Sequence, residues 1–142
     1  MTLRKNLTEF FFSIFSHLKK IKNKKITFLG VTFKANTDDM RDSSSLKMIP
    51  ALTKKGAKIN YFDPTGLKKE LSKIKNVFYV DNIKESVRGS DLVIIHTEWN
   101  DFKSINFKSL VKGKKFMIFD MRNIYSSSKI KDQGFKYFSV GK

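Results

Sequence analysis

The sequence predicts an α/β protein in which a doubly wound, mostly parallel sheet follows an N-terminal amphipathic helix. Short apolar runs alternate with polar or amphipathic stretches along most of the chain, which is the pattern of parallel strands joined by helices. The runs 26–29 and 91–97 are almost unbroken, as in strands covered on both faces. The chain has 142 residues and 40% hydrophobic content, enough to bury one such core. We therefore expect one Rossmann-like sheet domain.

The order of elements follows from these runs and from the residues that interrupt them. Strands are predicted at 25–29, 58–62, 77–80, 91–97, 115–119 and 135–138, of which 77–80 is a short strand or an extended connection. Helices are predicted at 44–55, 67–75, 83–88 and 126–133, with a helical turn or short helix at 107–111. Gly56, Gly89 and Gly134 follow three of these helices, where glycine is a natural terminator.

The first 23 residues are predicted to form an amphipathic helix. Apolar residues recur there at spacings of three and four: Phe11, Ile14, Phe15, Leu18 and Ile21, with Phe10 and Phe12 alongside. A signal peptide does not fit, because Glu9 precedes the apolar run and no small-residue cleavage site follows. The run is also too short and too charged to span a bilayer. The helix is expected to pack on the sheet or on a partner; docking on a membrane surface is the alternative.

The helix at 44–55 combines a start signal with a residue that disfavours helix. Asp42 or Ser43 is expected to cap it. Pro50 lies inside the pattern, so we expect a kink or a later start.

The most informative stretch is 24–43, in which a buried strand ends at Gly30 and a charged loop follows. The loop contains Lys34, Asp38, Asp39, Arg41 and Asp42. A loop between a strand end and a helix start is where open α/β sheets bind ligands, and its free N–H groups favour anions. The stretch has neither a G-x-G-x-x-G fingerprint nor a GK[ST] motif. It therefore predicts a site for a phosphate-bearing or carboxylate ligand, although an ordinary solvated loop is the alternative.

Composition narrows the classes of function. The chain has no cysteine and only His17 and His96, so disulfides, thiol nucleophiles and histidine–cysteine metal sites are not expected. The net charge is +16, which favours anionic partners. The chain shows no RNP-like aromatic strand, zinc-finger spacing or GXXG loop, so no specific nucleic-acid partner is expected. A basic module for nucleic acid or an anionic membrane surface remains the alternative function.

Three residues at predicted strand ends have both structural and functional interpretations. Asp63 precedes a proline and is expected to form a turn, although a bond to a ribose hydroxyl is the alternative. His96 is expected to face the core or a neighbouring loop rather than act as a base. Trp99 is expected to pack over the end of the sheet.

Four blocks in order, GVTFKANTDDMRDS at 30–43, GAKINYFDP at 56–64, DLVIIHTEW at 91–99 and DMRN at 120–123, resemble one family closely. They are similar to the carboxy-terminal domain of the UDP-glucose/GDP-mannose dehydrogenase family, with the UDP-glucose 6-dehydrogenases the nearest group. The closing residues 139–142, SVGK, echo the end of that domain. The resemblance covers about residues 24–142 and implies a nucleotide-sugar-binding domain.

The resemblance also implies a chemistry and roles for four residues. Family members oxidise the C6 alcohol of a nucleotide sugar to a carboxylate in two hydride transfers to NAD, through thiohemiacetal and thioester intermediates on a cysteine. Phe33 and Lys34 match the family's substrate-contacting pair, and Arg122 matches an arginine that contacts the nucleotide sugar. Arg41 matches the arginine that reaches the NAD pyrophosphate. Asp38 and Asp39 are expected to order the loop and hold Arg41.

The chain departs from the family where the chemistry is concerned. It contains no cysteine and no dinucleotide fingerprint, and it matches no central helical domain. Residues 1–23 then correspond to the helix that links the central domain to the sheet domain at 24–142. We expect the chain alone to be inactive, to bind a UDP-sugar, and to need a separate dehydrogenase portion or a second copy. The lack of cysteine fits a reducing compartment such as the cytoplasm.

Overall fold

The computed structural model describes residues 3–111 and 113–139, with side chains described from residue 9 onwards. The helices are α1 Leu3–Leu18, α2 Ser45–Lys54, α3 Lys69–Ser72, α4 Ile83–Val87, α5 Asn100–Lys103 and α6 Ser127–Asp132, with a 3₁₀ turn at Phe107–Leu110. The strands are β1 Lys25–Leu29, β2 Lys58–Phe62, β3 Val77–Tyr79, β4 Leu92–Ile95, β5 Met117–Asp120 and β6 Tyr137–Ser139. The motif at 139–142 lies outside the described residues after Ser139.

The described strands form one parallel sheet in the order β3-β2-β1-β4-β5-β6. This confirms the predicted doubly wound, Rossmann-like α/β fold. The chain reverses its direction of winding between β1 and β4, which are hydrogen-bonded neighbours. A crevice opens at the carboxyl ends of the strands at such a point, and ligands of this fold class bind there.

Both faces of the sheet are covered, as the apolar runs predict. All four residues of β4 are buried, and so are the last four of β1. One core contains side chains of α1, α2 and α3; its members include Phe10, Phe28, Met48, Ile49, Leu52, Ile59 and Tyr61. The other contains side chains of α4, α5 and α6; its members include Val87, Val93, Ile95, Phe102, Phe107, Ile118 and Ile130. Helices on both faces fix the loops at the carboxyl edge.

The helix α1 packs on the sheet through one side only. Phe10 is fully buried, and its ring makes an edge contact with Phe119 at 5.0 Å between centroids. Phe12 is 77% exposed and Phe15 is 40% exposed, so the predicted apolar stripe is wrong at both residues. Neighbouring residues on a helix point about 100° apart, and the buried side follows Phe10 and Ile14 instead.

The first helix also ends earlier than predicted, at Leu18 rather than at residue 23. Lys19 and Asn23 have positive φ angles of 58° and 66°, and residues in that conformation do not continue a right-handed helix. The intervening loop is tied to the next helix end, because the Asn23 N–H donates to the Gly56 carbonyl at 2.9 Å.

The start of α2 differs from the predicted capping. Ser44 is the N-cap residue, without a side-chain capping bond, and Asp42 is exposed. The Ser43 hydroxyl instead accepts a hydrogen bond from the Ser45 N–H at 3.3 Å. The helix runs from Ser45 through Pro50, so the expectation of a later start is wrong.

Candidate functional site

The candidate site lies at the carboxyl edge of the sheet, where the segments after β1, β4 and β5 meet. The backbone at the start of the first segment is held by two bonds. The Gly30 N–H donates to the Phe62 carbonyl at 2.8 Å, and the Val31 N–H donates to Asp63 Oδ2 at 2.9 Å. Gly30 has a φ of +79°, and a Cβ there would lie 2.6 Å from Thr97 Cβ. Only glycine lets the two segments approach this closely.

Arg122 connects the three segments. Its Nε donates to the His96 carbonyl at 2.9 Å, and its Nη2 donates to the Phe33 carbonyl at 3.2 Å. Nε also lies 3.2 Å from Glu98 Oε2 in an ion pair whose side chains are about one-third exposed. The guanidinium is thus placed between the ends of β1, β4 and β5, with part of its surface open to solvent.

Asp120 holds the segment that carries Arg122. It is fully buried, and its carboxylate accepts hydrogen bonds from three backbone N–H groups, those of Arg122, Ile124 and Tyr125, at 3.0, 2.8 and 3.2 Å. The Tyr137 hydroxyl donates to the same carboxylate at 2.7 Å. Burial, with that bond to Asp120, raises the pKa of Tyr137. These bonds compensate for burying the carboxylate and fix the direction in which Arg122 leaves the sheet.

The structure brings three of the predicted site residues together. Phe33 is 44% exposed and Lys34 is exposed, and the Phe33 carbonyl is the group that binds Arg122. The backbone of the Phe33–Lys34 segment therefore meets the Arg122 guanidinium at the carboxyl edge of the sheet, and the aromatic and ammonium side chains of that segment are exposed. Such a group of side chains suits a ligand with both an anionic part and a flat or apolar part.

Glu98 is a site residue that the sequence analysis noted only as part of a motif. Its Oε1 accepts from the Ala35 N–H at 3.2 Å, while its Oε2 pairs with Arg122. One carboxylate thus joins the loop after β1 to the arginine after β5. Its position directly after a predicted strand was a usable signal. Its partners Ala35 and Arg122 are 63 and 24 residues away, however, and only the fold brings them close.

Arg41 lies on the outer part of the loop and pairs within it. Its Nη2 is 2.9 Å from Asp39 Oδ2, and its Nε is 3.1 Å from Oδ1. This confirms that Asp39 holds Arg41, whereas Asp38 is simply exposed. The hydrogen bonds from Arg41 lower the pKa of Asp39 to about 2. The Arg41 side chain is 88% exposed, so its guanidinium remains accessible to an anion.

The structural interpretations of His96, Trp99 and Asp63 are confirmed. His96 is 1% exposed, and its Nε2 lies 2.8 Å from Ser44 Oγ. Burial, reinforced by the positive charge of Arg122, lowers the pKa of His96 to about 3. Trp99 is buried in the second core, directly before α5. Asp63 is buried and accepts from the Thr65 N–H at 2.9 Å, which makes it a turn residue.

A cleft away from this edge also contains lysine and aromatic side chains. It has a volume of 690 Å³ and is lined by Ser13, Ser127, Lys131, Phe135, Lys136, Tyr137, Phe138 and Ser139. None of the predicted site residues lines it. Among residues 3–111 and 113–139, no helix is both long enough and apolar enough to cross a membrane.

A strand order that reverses between β1 and β4, with basic and aromatic side chains at that point, defines the class of nucleotide-binding α/β domains. The chain belongs to the UDP-glucose/GDP-mannose dehydrogenase family: its residues 27–127 match the model of that family's UDP binding domain. The match spans the segments that carry Phe33, Lys34, Arg41 and Arg122.

Curated relatives agree with the family. The chain is 38% identical over 125 residues to UDP-glucose 6-dehydrogenase of Rickettsia felis, covering 85% of this chain and 28% of that protein. It is 37% identical over 123 residues to UDP-glucose 6-dehydrogenase of Rhizobium meliloti, covering 86% and 28%. The chain therefore spans less than a third of the length of these relatives.

Solved structures share the fold. A UDP-D-ManNAc dehydrogenase from Pyrococcus horikoshii superposes with a TM-score of 0.70 at 27% identity, covering 92% of this chain and 29% of that one. An NDP-N-acetyl-D-galactosaminuronic acid dehydrogenase from Methanosarcina mazei gives a TM-score of 0.81 at 22% identity, covering 97% and 29%. At that lower identity, the second likeness concerns the fold alone.

Proposed function

We propose that this chain is the nucleotide-sugar-binding part of an NAD-dependent UDP-glucose 6-dehydrogenase, which converts UDP-glucose to UDP-glucuronate. The observation that carries the proposal is the link between Arg122 and the Phe33–Lys34 loop at the crevice. The identity of the curated relatives as UDP-glucose 6-dehydrogenases supports the choice of nucleotide sugar.

Each site residue then has a role that its position supports. Lys34 places a mobile ammonium against oxygens of the sugar or the diphosphate. Arg122 offers the open part of its guanidinium to the nucleotide sugar, while its carbonyl and Glu98 contacts hold it in place. Phe33, at 44% exposure, provides an apolar surface beside these charges. The residues bind and orient a substrate, and we assign them no catalytic role.

NAD, in this proposal, is bound mainly by a part of the enzyme outside this chain, and it accepts the two hydrides when bound. The accessible guanidinium of Arg41 fits a contact to the NAD pyrophosphate, because its planar donors match phosphate oxygens. The chain offers no glycine-rich fingerprint for the rest of the cofactor.

The partner follows from the chemistry. Oxidation through a thioester needs a thiolate, and this chain has no cysteine. We propose that an amino-terminal and central dehydrogenase portion, or an oligomer that contains one, supplies the thiol. Residues 1–23, which include α1, are then the linking segment, and residues 24–142 are the UDP-sugar-binding domain. The lack of cysteine is compatible with a cytoplasmic location.

Isothermal titration of UDP-glucose tests the binding proposal. We expect saturable binding to the wild-type chain, weakened about tenfold by Lys34→Ala, because a charge-assisted hydrogen bond contributes about 1.5–3 kcal/mol. The double variant Lys34→Ala/Arg122→Ala is expected to lose binding. Lys54→Ala/Lys55→Ala removes the same charge at the other edge of the sheet and serves as control. Equal weakening in both double variants would leave only a general charge effect.

One observation favours a second candidate function, a basic module for nucleic acid or an anionic membrane. Six exposed lysines lie on the loop after α1 and on the segment from the end of α2 to the start of β2: Lys19, Lys20, Lys22, Lys54, Lys55 and Lys58. The two loops are adjacent, because the Lys58 N–H donates to the Lys24 carbonyl at 2.8 Å. This function predicts binding to generic polyanions that falls steeply with salt and is lost in Lys54→Ala/Lys55→Ala. Binding of UDP-glucose that exceeds binding of such polyanions at moderate salt argues against it.

A further inference from the structure

A buried series of hydrogen bonds runs from the start of α2 to the loop that carries Lys34. Ser44 Oγ lies 2.8 Å from His96 Nε2, and His96 Nδ1 lies 2.9 Å from Thr97 Oγ1. Thr97 Oγ1 in turn donates to the Thr32 carbonyl at 3.1 Å. The Thr32 hydroxyl continues the series to the Lys34 carbonyl at 2.9 Å. All four side chains, from Ser44 to Thr32, are buried.

The acceptors in this series determine where the histidine proton lies. The Thr32 carbonyl can only accept, so the single Thr97 hydroxyl proton points to it. Thr97 Oγ1 therefore accepts from His96, whose Nδ1 must carry the proton. In a neutral imidazole the second nitrogen is an acceptor, so the Ser44 hydroxyl donates to Nε2. The buried position of the ring, beside Arg122, favours this uncharged form.

The loop needs such support because its functional side chains have little packing of their own. Phe33 and Lys34 are exposed, so their positions depend on the backbone beneath them. Fixing exposed backbone costs conformational entropy, and buried hydrogen bonds to Thr32 offset that cost. The backbone carbonyl of His96 also accepts a hydrogen bond from Arg122 Nε at 2.9 Å.

We propose that His96 is a positioning residue for the ligand site. With its proton on Nδ1, it orients Thr97, and Thr97 holds the Thr32–Lys34 segment in the shape that presents Phe33 and Lys34. The identity of the ligand rests on the proposed function, whereas the proposed ordering of the Thr32–Lys34 segment does not. His96 itself contacts no ligand.

A matched pair of variants tests the proposal without ligand. Thr97→Val keeps the shape of the side chain and removes the hydroxyl, whereas Thr97→Ser keeps the hydroxyl. Nitrogen NMR of ¹⁵N-histidine-labelled protein reports which ring nitrogen carries the proton. Amide hydrogen exchange at Phe33 and Ala35, whose N–H groups bond Asp39 and Glu98, reports the order of the loop.

We expect the wild-type ring to carry its proton on Nδ1. Thr97→Val is expected to lose this preference and to speed exchange at Phe33 and Ala35 about tenfold, because a buried group is left without its partner. Amide exchange at Ile59, inside the sheet, is expected to stay unchanged. Thr97→Ser is expected to restore both the proton on Nδ1 and the slow exchange at Phe33 and Ala35. A wild-type proton on Nε2, or an unchanged loop in folded Thr97→Val, overturns the proposal.

Two further arms complete the test. If Thr97→Val does not fold, Thr97→Ala takes its place, since it also removes the hydroxyl that accepts from Nδ1, and the same two results are then decisive. Titration of UDP into wild type and the Thr97 variants is a separate measurement, which tests ligand binding. Absence of binding to wild type contradicts the proposed function and leaves the NMR result standing, whereas a tenfold loss in Thr97→Val that Thr97→Ser restores supports both.

Discussion

Glu98 and Arg122 illustrate how single residues build this site. Their ion pair is about one-third exposed on both sides, so it contributes little to stability by itself. Its value is geometric, because one carboxylate fixes the Ala35 N–H and the guanidinium at the same time. The Arg122 guanidinium and the loop after β1 are thus held by a shared neighbour.

His96 makes stability depend on pH in a defined direction. Its pKa in the folded chain, about 3, lies below the ordinary value of about 6.5. Between these values the unfolded state binds the proton and the folded state does not, so stability falls as the pH falls through 6.5. Relative to His96→Gln, we expect wild type to lose about 1.4 kcal/mol per pH unit below that point. Urea unfolding of both proteins at several pH values measures this. If the free energies of unfolding of wild type and His96→Gln changed with pH in parallel, the prediction would be contradicted.

Gly30 and Gly66 have similar left-handed backbone conformations, but only Gly30 has a close neighbour. Comparing alanine variants of the two separates the cost of backbone strain from the cost of a steric clash. Gly30 and Gly66 have φ angles of +79° and +92°, but a Cβ at Gly66 meets nothing within 4 Å. We expect Gly66→Ala to cost about 1 kcal/mol for the left-handed backbone alone. Gly30→Ala is expected to cost about 1–3 kcal/mol more, because Thr97 must move. Chemical denaturation of both variants checks the difference, and equal costs would show that the contact with Thr97 does not matter.

Among the elements, the helix α1 has two unequal faces. Phe10 is fully buried against Phe119, whereas Phe12 is 77% exposed. Phe10→Ala is expected to cost about 3–5 kcal/mol, as for a core phenylalanine, while Phe12→Ala is expected to stay within about 0.5 kcal/mol. Thermal unfolding of the two variants measures this. A large loss in Phe12→Ala would mean that its exposed face is covered in solution.

The elements also show which structure can be predicted from local sequence. The bounds of β1 and β2 agree with prediction, because each is a short run between clear interruptions. The helix α5 was not predicted, since its four residues are too few to show periodicity. Strand β5 was expected at 115–119 and is observed at Met117–Asp120, because Lys115 is exposed and the sheet register, not the apolar run, sets the start.

At the scale of the whole molecule, the site depends on contacts that no local pattern contains. Phe33 and Arg122 are 89 residues apart and meet through one hydrogen bond. The family motifs identify both residues, and the strand order explains why they meet. The role of Glu98 and the bonds of His96 required the structure, because both residues act through partners far away in the sequence.

In the proposed enzyme this chain binds the nucleotide sugar and another part supplies the thiol, which gives a prediction for the activity of this chain alone. With UDP-glucose and NAD, the purified chain is expected to produce no NADH, because it has no cysteine. Adding a separately expressed amino-terminal half of a family dehydrogenase is expected to restore turnover, and Lys34→Ala in this chain is expected to reduce it. Absorbance of NADH measures both. Turnover by the chain alone would contradict the proposal.

The most direct test of the central claim is to locate the ligand by amide NMR. UDP-glucose is added to ¹⁵N-labelled chain while backbone amide shifts are followed. We predict saturable shifts at 31–36, 96–99 and 120–125, with the lysine-rich loops at 19–24 and 54–58 unchanged. Shifts confined to the lysine-rich loops would contradict a nucleotide-sugar site at the carboxyl edge of the sheet.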